Sequence, residues 1–468
     1  MVTAGQSDRR ILFEEPILAS DMVAVTRPWT KWAAQVERVE DVPVAVRRAV
    51  QTALTPPTGP VFLSLPMDIQ TAEADLDLAP ARVPDRRVRP PLEALCAAAA
   101  LLAGAKNPGI IAGSRVVEGG AVPALVELAQ RLGAPVFSES ATSHGRAPFP
   151  AAHPLNAQQL PLWAPDVHAA LAEFDVLLAV GLDLLRMYIY HEPPQAVPSS
   201  CRLVHLDENP WQIGKNYPAE VGLIGDVRTG LEELASLTTG AMTAAQVDEA
   251  RARGKRRSAA HAEVRKALAA RIAAEREARP MMPATLMETV GRILPPNVAV
   301  VEEAVTTTEH LLERLGTLPT TDGYFAHRGW SLGWGLGLRD RREDGLARSS
   351  DARTLRRRGR DVRHSRPLDG GPLQRAGDVR RLQQRALSDS QRRARMLGLP
   401  AVREGRFIGM DLDRPSLDIL KLAEGFGVEA VRVSEPDELA EVLKASLAGD
   451  RPRVIDVSIQ KTRASQFG

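Results

Sequence analysis

Residues 92–237 alternate short apolar runs with amphipathic segments. Each run is bounded by glycine, proline or charged residues, which is typical of strands buried in a sheet. The strand-like runs are 108–113, 135–137, 176–180, 201–207 and 221–226, and the clearest amphipathic helix covers 122–132. Strand–helix alternation of this kind predicts an α/β fold with a doubly wound parallel sheet.

Similar but less complete patterns flank this region. Residues 42–53 have helical apolar spacing, 60–68 form a short apolar run closed by proline, and 80–91 hold four prolines and four arginines, as a linker does. Residues 241–279 are charged and alanine-rich and predict a helical connector. The last unit is predicted to contain helices at 283–294, 417–426 and 436–447, strands at 298–302, 430–433 and 453–457, and a glycine- and tryptophan-rich turn at 328–337.

Composition places the chain among ordinary globular proteins, with 468 residues, 44% of them hydrophobic and 25% charged. Its two cysteines, Cys96 and Cys201, are too few for a disulfide framework and fit a reducing compartment. The first ten residues lack the apolar core of a signal peptide, and the apolar stretch at 176–185 is too short to span a bilayer. We therefore expect a cytoplasmic protein without a membrane partner.

The net charge of +2 hides an asymmetry. Residues 338–395 contain 18 arginines, no lysine and 8 acidic residues, a net charge of +10, whereas the rest of the chain carries −8. Arginine-rich stretches are usually solvated, and some bind nucleic acid. This one has no interleaved aromatic residues and interrupts a domain where a core strand is expected, so we predict no nucleic-acid partner.

In this order, the patterns resemble thiamine diphosphate-dependent enzymes of the benzoylformate decarboxylase and acetolactate synthase superfamily. The most specific runs are VHLDENP at 204–210 with IGK at 213–215, and EEAVTTT at 302–308. The resemblance implies an α/β, three-domain architecture with parallel sheets flanked by helices, the first domain incomplete. The implied domains are a partial pyrimidine-binding domain (1–80), a central Rossmann-like domain (90–240) and a diphosphate-binding domain (280–468) disrupted at 338–393.

The resemblance further implies thiamine diphosphate and Mg²⁺ as cofactors, a 2-oxo acid as small-molecule substrate, and a homo-oligomer if the protein is intact. The reaction implied is decarboxylation, with an acetolactate synthase-like carboligase or a non-catalytic scaffold as alternatives. His327 is interpreted as structural rather than as an acid–base group. The residues that match cofactor-lining positions of the family are Glu303, Thr306, Gly329, Trp330, Ser331 and Leu332.

Two departures from the family predict that the chain is inactive as written. The family's pyrimidine domain begins roughly ninety residues earlier, and its missing part carries the glutamate that activates the cofactor. The family also binds Mg²⁺ through Gly-Asp-Gly and a later Asn-Asn, and neither occurs between Gly337 and Met396. We therefore assign no catalytic residue and no metal ligand. Asp207 and Asp226, at the ends of predicted strands, are interpreted as caps rather than ribose ligands.

A shifted reading frame accounts for the missing motif. Read one base later, arginine codons at 356–358 can encode Gly-Asp-Gly, and the glutamine codons at 383–384 give only Asn or Ser. In the same frame, residues 379–382 can become Phe-Val-Val-Cys, a buried strand leading into Asn-Asn. Residues 338–393 as written contain no Ile, Phe, Tyr, Trp or Met, so we expect them to form neither the strand nor the helix that their position requires.

Overall fold

The protein consists of parallel sheets flanked by helices. None of the described helices combines the length and hydropathy needed to cross a membrane. The computed structural model describes residues 1–79, 82, 84–139, 145–187, 191–303, 311–326, 378–383, 391, 394–395, 398–407, 410, 418–449 and 451–460, with the backbone alone for 311, 378–383 and 401.

The first unit is a small parallel sheet in which the most apolar strand lies in the middle. Its elements are β1 (Val2–Gln6), α1 (Met22–Thr26), β2 (Trp32–Gln35), α2 (Val42–Leu54), β3 (Val61–Pro66) and α3 (Met67–Thr71). Strand β3 pairs with β1 on one side and β2 on the other. Its Val61 and Leu63 pack against Ala49 of α2 and Ile69 of α3, which confirms the helix and strand predicted at 42–53 and 60–68.

The second unit is a six-stranded parallel sheet in the order β6-β5-β4-β7-β8-β9. Counted within the unit this order is 3-2-1-4-5-6, so the predicted doubly wound sheet is confirmed. Its strands are β4 (Pro108–Ala112), β5 (Val136–Ser138), β6 (Asn156–Gln159), β7 (Val176–Val180), β8 (Arg202–Asp207) and β9 (Val221–Ile224). Its helices are α4 (Leu92–Ala103), α5 (Ser114–Glu118), α6 (Val122–Leu132), α7 (Ala164–Leu171) and α8 (Val227–Ala241).

Two apolar layers cover the faces of this sheet. Successive side chains along a strand point to opposite faces, so Leu178 of β7 joins one layer and Leu177 the other. Every residue of β4 and β7 is buried, as expected for central strands with helices on both sides. The polar edge strand β6 did not stand out in the apolar pattern.

The helix α9 (Ala244–Glu275) connects the second unit to the third, as predicted for residues 241–279. It begins at Thr243, whose hydroxyl accepts from the backbone N–H of Gln246 in a capping box. Arg253 fastens it to the second unit by donating to the carbonyl of Lys106 over 2.8 Å and to that of Leu132. A Cβ at Gly133 would lie 2.1 Å from the carbonyl oxygen of Ala250, so glycine is needed where the helix passes.

The described residues of the third unit form two parallel sheets. One is the pair β10-β11, and the other is the three-stranded sheet β12-β14-β13. The strands are β10 (Val300–Glu302), β11 (Tyr324–Ala326), β12 (Asp378–Gln383), β13 (Glu429–Val433) and β14 (Arg453–Ser458). The helices are α10 (Pro283–Ile293), α11 (Leu311–Leu315), α12 (Pro400–Arg403), α13 (Ile419–Gly425) and α14 (Pro436–Ala448). The helices predicted near 283, 417 and 436 and the strands near 298, 430 and 453 are thereby confirmed.

The expectation that residues 338–393 form no strand is wrong for one segment. Residues 378–383 form β12, which pairs in parallel with β14 along its whole length, from Asp378 opposite Arg453 to Gln383 opposite Ser458. A strand ladder is made by backbone groups, so an apolar neighbour such as β14 can hold a charged sequence in register. The turn predicted at 328–337 and residues 338–377, 384–390 and 392–393 of the arginine-rich stretch lie outside the described residues.

Candidate functional site

The candidate site lies where β10 and β11 end. The two strands are parallel neighbours, with Val300 opposite Tyr324 and Glu302 opposite Ala326. Parallel strands end at the same edge of a sheet, where ligands of open α/β proteins bind. Glu303, directly after β10, and Ala326, the last residue of β11, therefore lie at the same edge of the sheet.

A buried hydrogen bond fixes the end of β10. The Tyr324 hydroxyl donates to Oε2 of Glu302 over 2.6 Å, and both side chains are buried. Burial raises the pKa of Tyr324 well above its usual value, and the neighbouring Glu302 carboxylate raises it further. Tyr324 therefore stays a neutral donor at physiological pH, and Glu302 is held in one orientation next to Glu303.

A second buried carboxyl group joins the third unit to the second. Glu313 of α11 accepts from the hydroxyl of Ser138 over 2.7 Å and from the side-chain amide of Asn156 over 3.5 Å. Burial raises the pKa of Glu313 above its ordinary value, and the two hydrogen bonds offset part of this rise. The contact links α11 to the ends of β5 and β6.

The predicted cofactor-contacting residues are only partly described. Glu303 is half-buried directly after β10, and its contact with the cofactor stays a prediction. Thr306, Gly329, Trp330, Ser331 and Leu332 lie outside the described residues, so their assignment stays a prediction. Within the part of the chain that the structure describes, no three His, Cys, Asp or Glu side chains are grouped to hold a metal ion.

The two aspartates interpreted as caps do act as caps. Asp226 accepts from the backbone N–H of Thr229 over 2.8 Å at the start of α8. Asp207 accepts from the backbone N–H of Asn209 over 2.8 Å and also binds Arg115, whose Nη2 lies 2.7 Å from its Oδ2. The second role, as an ion-pair partner, was not predicted.

Arg115 places its guanidinium at the carboxyl ends of the central strands, between Asp207 and Asp183. Burial alone lowers the pKa of Arg115, yet the two carboxylates raise it overall, so the group stays charged. Beside it, a Cβ at Gly113 would lie 2.6 Å from the carbonyl oxygen of Gly181. Side chains of this protein therefore fill the switch point of the doubly wound sheet.

Sequence reasoning missed the pairs Glu302–Tyr324 and Glu313–Ser138, and the ion pair of Arg115. One signal was present, because Glu313 interrupts the apolar run of α11 between Leu312 and Leu315. A carboxyl group in such a position is more often half-exposed than buried. The partners are far apart in sequence, so only the packed units bring them together.

Parallel sheets flanked by helices, with a candidate site at the edge of one of them, define an α/β fold of three domains. The sequence matches "Thiamine pyrophosphate enzyme, central domain" over residues 95–234 and "Thiamine pyrophosphate enzyme, C-terminal TPP binding domain" over residues 399–457. The chain belongs to the thiamine diphosphate-dependent superfamily, as the sequence predicted.

Relatives with known names match almost the whole chain. It is 27% identical over 473 residues to benzoylformate decarboxylase of Pseudomonas aeruginosa, covering 98% of this chain and 82% of that protein. It is 25% identical over 488 residues to a probable acetolactate synthase large subunit of Methanocaldococcus jannaschii, covering 98% and 76%. The crystal structure of benzoylformate decarboxylase from Polynucleobacter necessarius superposes with a TM-score of 0.77 at 24% identity, covering 98% and 82%, which supports the three-domain fold.

Proposed function

We propose that this chain derives from a thiamine diphosphate- and Mg²⁺-dependent 2-oxo acid decarboxylase similar to benzoylformate decarboxylase, and that it is inactive as written. The observation that carries the proposal is an interrupted match. The elements on both sides of the arginine-rich stretch follow the superfamily, while the stretch contains neither Gly-Asp-Gly nor Asn-Asn. A chain of this kind keeps the fold of the enzyme and lacks the residues that would clamp the diphosphate.

The described residues support only part of a cofactor site. Thiamine diphosphate, when bound, supplies an electron sink for the loss of carbon dioxide from a 2-oxo acid. Glu303 lies at the strand edge next to the Glu302–Tyr324 hydrogen bond, which holds that edge in place. The residues present do not fit a Mg²⁺ ion. A hard cation needs several oxygen ligands, and the motif that provides them is missing from the sequence.

Two other functions remain as alternatives within this proposal. An acetolactate synthase-like carboligase is favoured by the second relative, since both kinds of enzyme use the same fold. A non-catalytic scaffold is favoured by the completeness of the central sheet. In each case we propose a cytoplasmic homo-oligomer whose small-molecule partner, if it has one, is a 2-oxo acid.

The test is a calorimetric titration with thiamine diphosphate in the presence and absence of Mg²⁺. The chain as written should show no Mg²⁺-dependent binding. A variant with 338–393 translated in the shifted frame, including Arg357→Asp, Gln383→Asn and Gln384→Asn, should bind, because carboxylate and amide oxygens then meet the metal. The matched control restores the same frame but keeps Arg357.

Two results would contradict the proposal. Mg²⁺-dependent binding by the chain as written would show that the motif is dispensable. Equal binding by the restored variant and by its Arg357 control would show that the restored aspartate has no part in holding the metal.

A further inference from the structure

The second and third units share a buried interface that contains the carboxyl group of Glu313. Glu313 is 4% exposed, Ser138 is 1% exposed and Asn156 is 3% exposed. Around them, Ala147 and Ala151 of the second unit pack into one apolar cluster with Leu312, Leu318 and other side chains of the third unit. Water therefore has little access to the Glu313 carboxyl group.

Other polar contacts across this interface use backbone oxygens. Arg146 donates to the carbonyl of Asp322 over 2.8 Å, and the N–H of Ala326 donates to the carbonyl of Gly145 over 3.0 Å. The Arg146 guanidinium also lies 4.1 Å from the centre of the Phe325 ring. These contacts keep their hydrogen bonds at any pH near neutrality, whereas Glu313 brings a group that can gain or lose a charge.

Among the described residues of the second unit, the two that hydrogen-bond to the Glu313 carboxyl group, Ser138 and Asn156, are uncharged donors. On its own helix Arg314 favours the ionised form, and Glu302 on β10 opposes it. Tyr324 on β11 is neutral and already donates to Glu302. A buried carboxylate with so little compensation is costly, whereas a protonated one can still accept from Asn156 and exchange a hydrogen bond with Ser138.

We infer that Glu313 is a proton-sensitive latch between the second and third units, and that it holds them most tightly when its carboxyl group is protonated. The folded-state pKa lies above the ordinary value of 4.5, so the stabilisation is complete below pH 4.5 and is lost as pH rises through the folded-state value. The latch also fixes α11, the first described element after Glu303. This last consequence rests on the proposed function, while the latch itself does not.

The test is hydrogen exchange of peptides covering 311–326 and 136–139 in the full chain, from pH 4.5 to 8, corrected for intrinsic rates. Opening of these peptides should increase by up to about tenfold per pH unit between 4.5 and the folded-state pKa. Glu313→Gln keeps the acceptor oxygen without the charge and should show no pH dependence. Glu441→Gln, on the exposed face of α14, is the matched control and should behave like the original chain.

A second set of variants keeps the test decisive if Glu313→Gln does not fold. Ser138→Ala and Asn156→Ala each remove one donor that favours the carboxylate, so the increase in opening should continue to a higher pH than in the original chain. Exchange that does not depend on pH in the original chain would overturn the latch. So would a Glu313→Gln variant that retains the full pH dependence. Neither result involves thiamine diphosphate, so a failure of the proposed function would be seen separately.

Discussion

The central sheet and the C-terminal sheet follow the same parallel pattern, but their strands differ in content. In the central sheet, β4 and β7 are buried along their whole length. In the C-terminal sheet, the apolar strand β14 is flanked by β13 and by β12, whose sequence is Asp-Val-Arg-Arg-Leu-Gln. In the central sheet, the strands that the topology buries are also the most apolar. In the C-terminal sheet, the sequence of β12 is not apolar, and only its pairing with β14 accounts for its being a strand.

This difference indicates where the chain departs from its family. Two adjacent arginines are unusual in a strand of a parallel sheet such as β12, because parallel sheets are covered on both faces. The shifted frame can encode Phe-Val-Val-Cys at 379–382, which is the sequence of an ordinary buried strand. The structure shows that the sequence as written forms a strand at this position.

The largest expected effect comes from the buried charges of the two sheets. Arg115→Ala leaves the carboxylate of Asp207 fully buried without a cation, whereas Asp183 keeps its ion pair with Arg186. We expect a loss of about 3–5 kcal/mol in the free energy of unfolding. In the C-terminal sheet, Arg432→Ala removes the partner of the buried Asp456. Arg432 is 45% exposed, so solvent screening should limit that loss to about 1 kcal/mol.

Urea unfolding, followed by hydrogen exchange in peptides from each sheet, measures both losses separately. Arg202→Ala, which removes an exposed ion pair with Glu220 from the central sheet, is the control and should lower the free energy of unfolding least of the three. Equal losses for Arg115→Ala and Arg432→Ala would contradict the comparison, because burial would then not decide the strength of the pair.

The second prediction concerns acid. His205 of β8 is buried between β7 and β9, and burial, aided by the charge of Arg115, lowers its pKa from 6.5 to about 4. A histidine with a lowered folded-state pKa stabilises the fold above pH 6.5, and this contribution is lost as pH falls toward 4. The central sheet should lose roughly 2–3 kcal/mol over that range.

The acid response of the central sheet should be opposite in sign to that of Glu313, which favours low pH. Unfolding curves from pH 7 to 4 measure it, with exchange protection of β7 and β8 as the local readout. His205→Gln should flatten the response, whereas His168→Gln on α7 should leave it unchanged. If His205→Gln retained the whole acid response, the titration would belong to another group.

Sequence alone predicted the central sheet because its signal is local. The apolar runs at 108–113, 176–180 and 201–207 each indicate burial on both faces, and strand–helix alternation predicted a doubly wound parallel sheet, but not the order of its strands. The polar edge strand β6 was missed because a half-buried edge does not need an apolar run. Strand β12 was wrongly excluded because the apolar residues that stabilise this part of the sheet lie in its partner β14 and not in β12 itself.

The candidate site was less predictable. Glu303 could be placed after a strand, since the apolar run before it is clear. Contacts such as Glu302–Tyr324 and Glu313–Ser138 join residues that are 22 and 175 positions apart, and periodicity carries no information on pairs so distant. Only the caps Asp207 and Asp226 were assigned correctly in advance, because capping depends on neighbouring residues.

The smallest expected effect compares a helix cap from each of the two regions. Asp226 accepts from Thr229 N over 2.8 Å and also from the Thr229 hydroxyl over 2.8 Å, at the start of the fifteen-residue helix α8. Asp418 accepts from Lys421 N over 3.4 Å at the start of the seven-residue helix α13. A shorter bond to a longer, better packed helix should stabilise more, so Asp226→Ala should cost about 1 kcal/mol.

Asp418→Ala should change stability by less than Asp226→Ala, because the cap is exposed and its hydrogen bond is long. Asp226→Asn and Asp418→Asn keep a capping oxygen and should restore most of either loss, which separates the cap from a general effect of charge. Thermal unfolding with local exchange of α8 and α13 gives both values. A larger loss at Asp418 would mean that the C-terminal unit depends on its helix ends more than on its sheet. The difference between the two regions would then lie in their helices and not in the apolar content of their sheets.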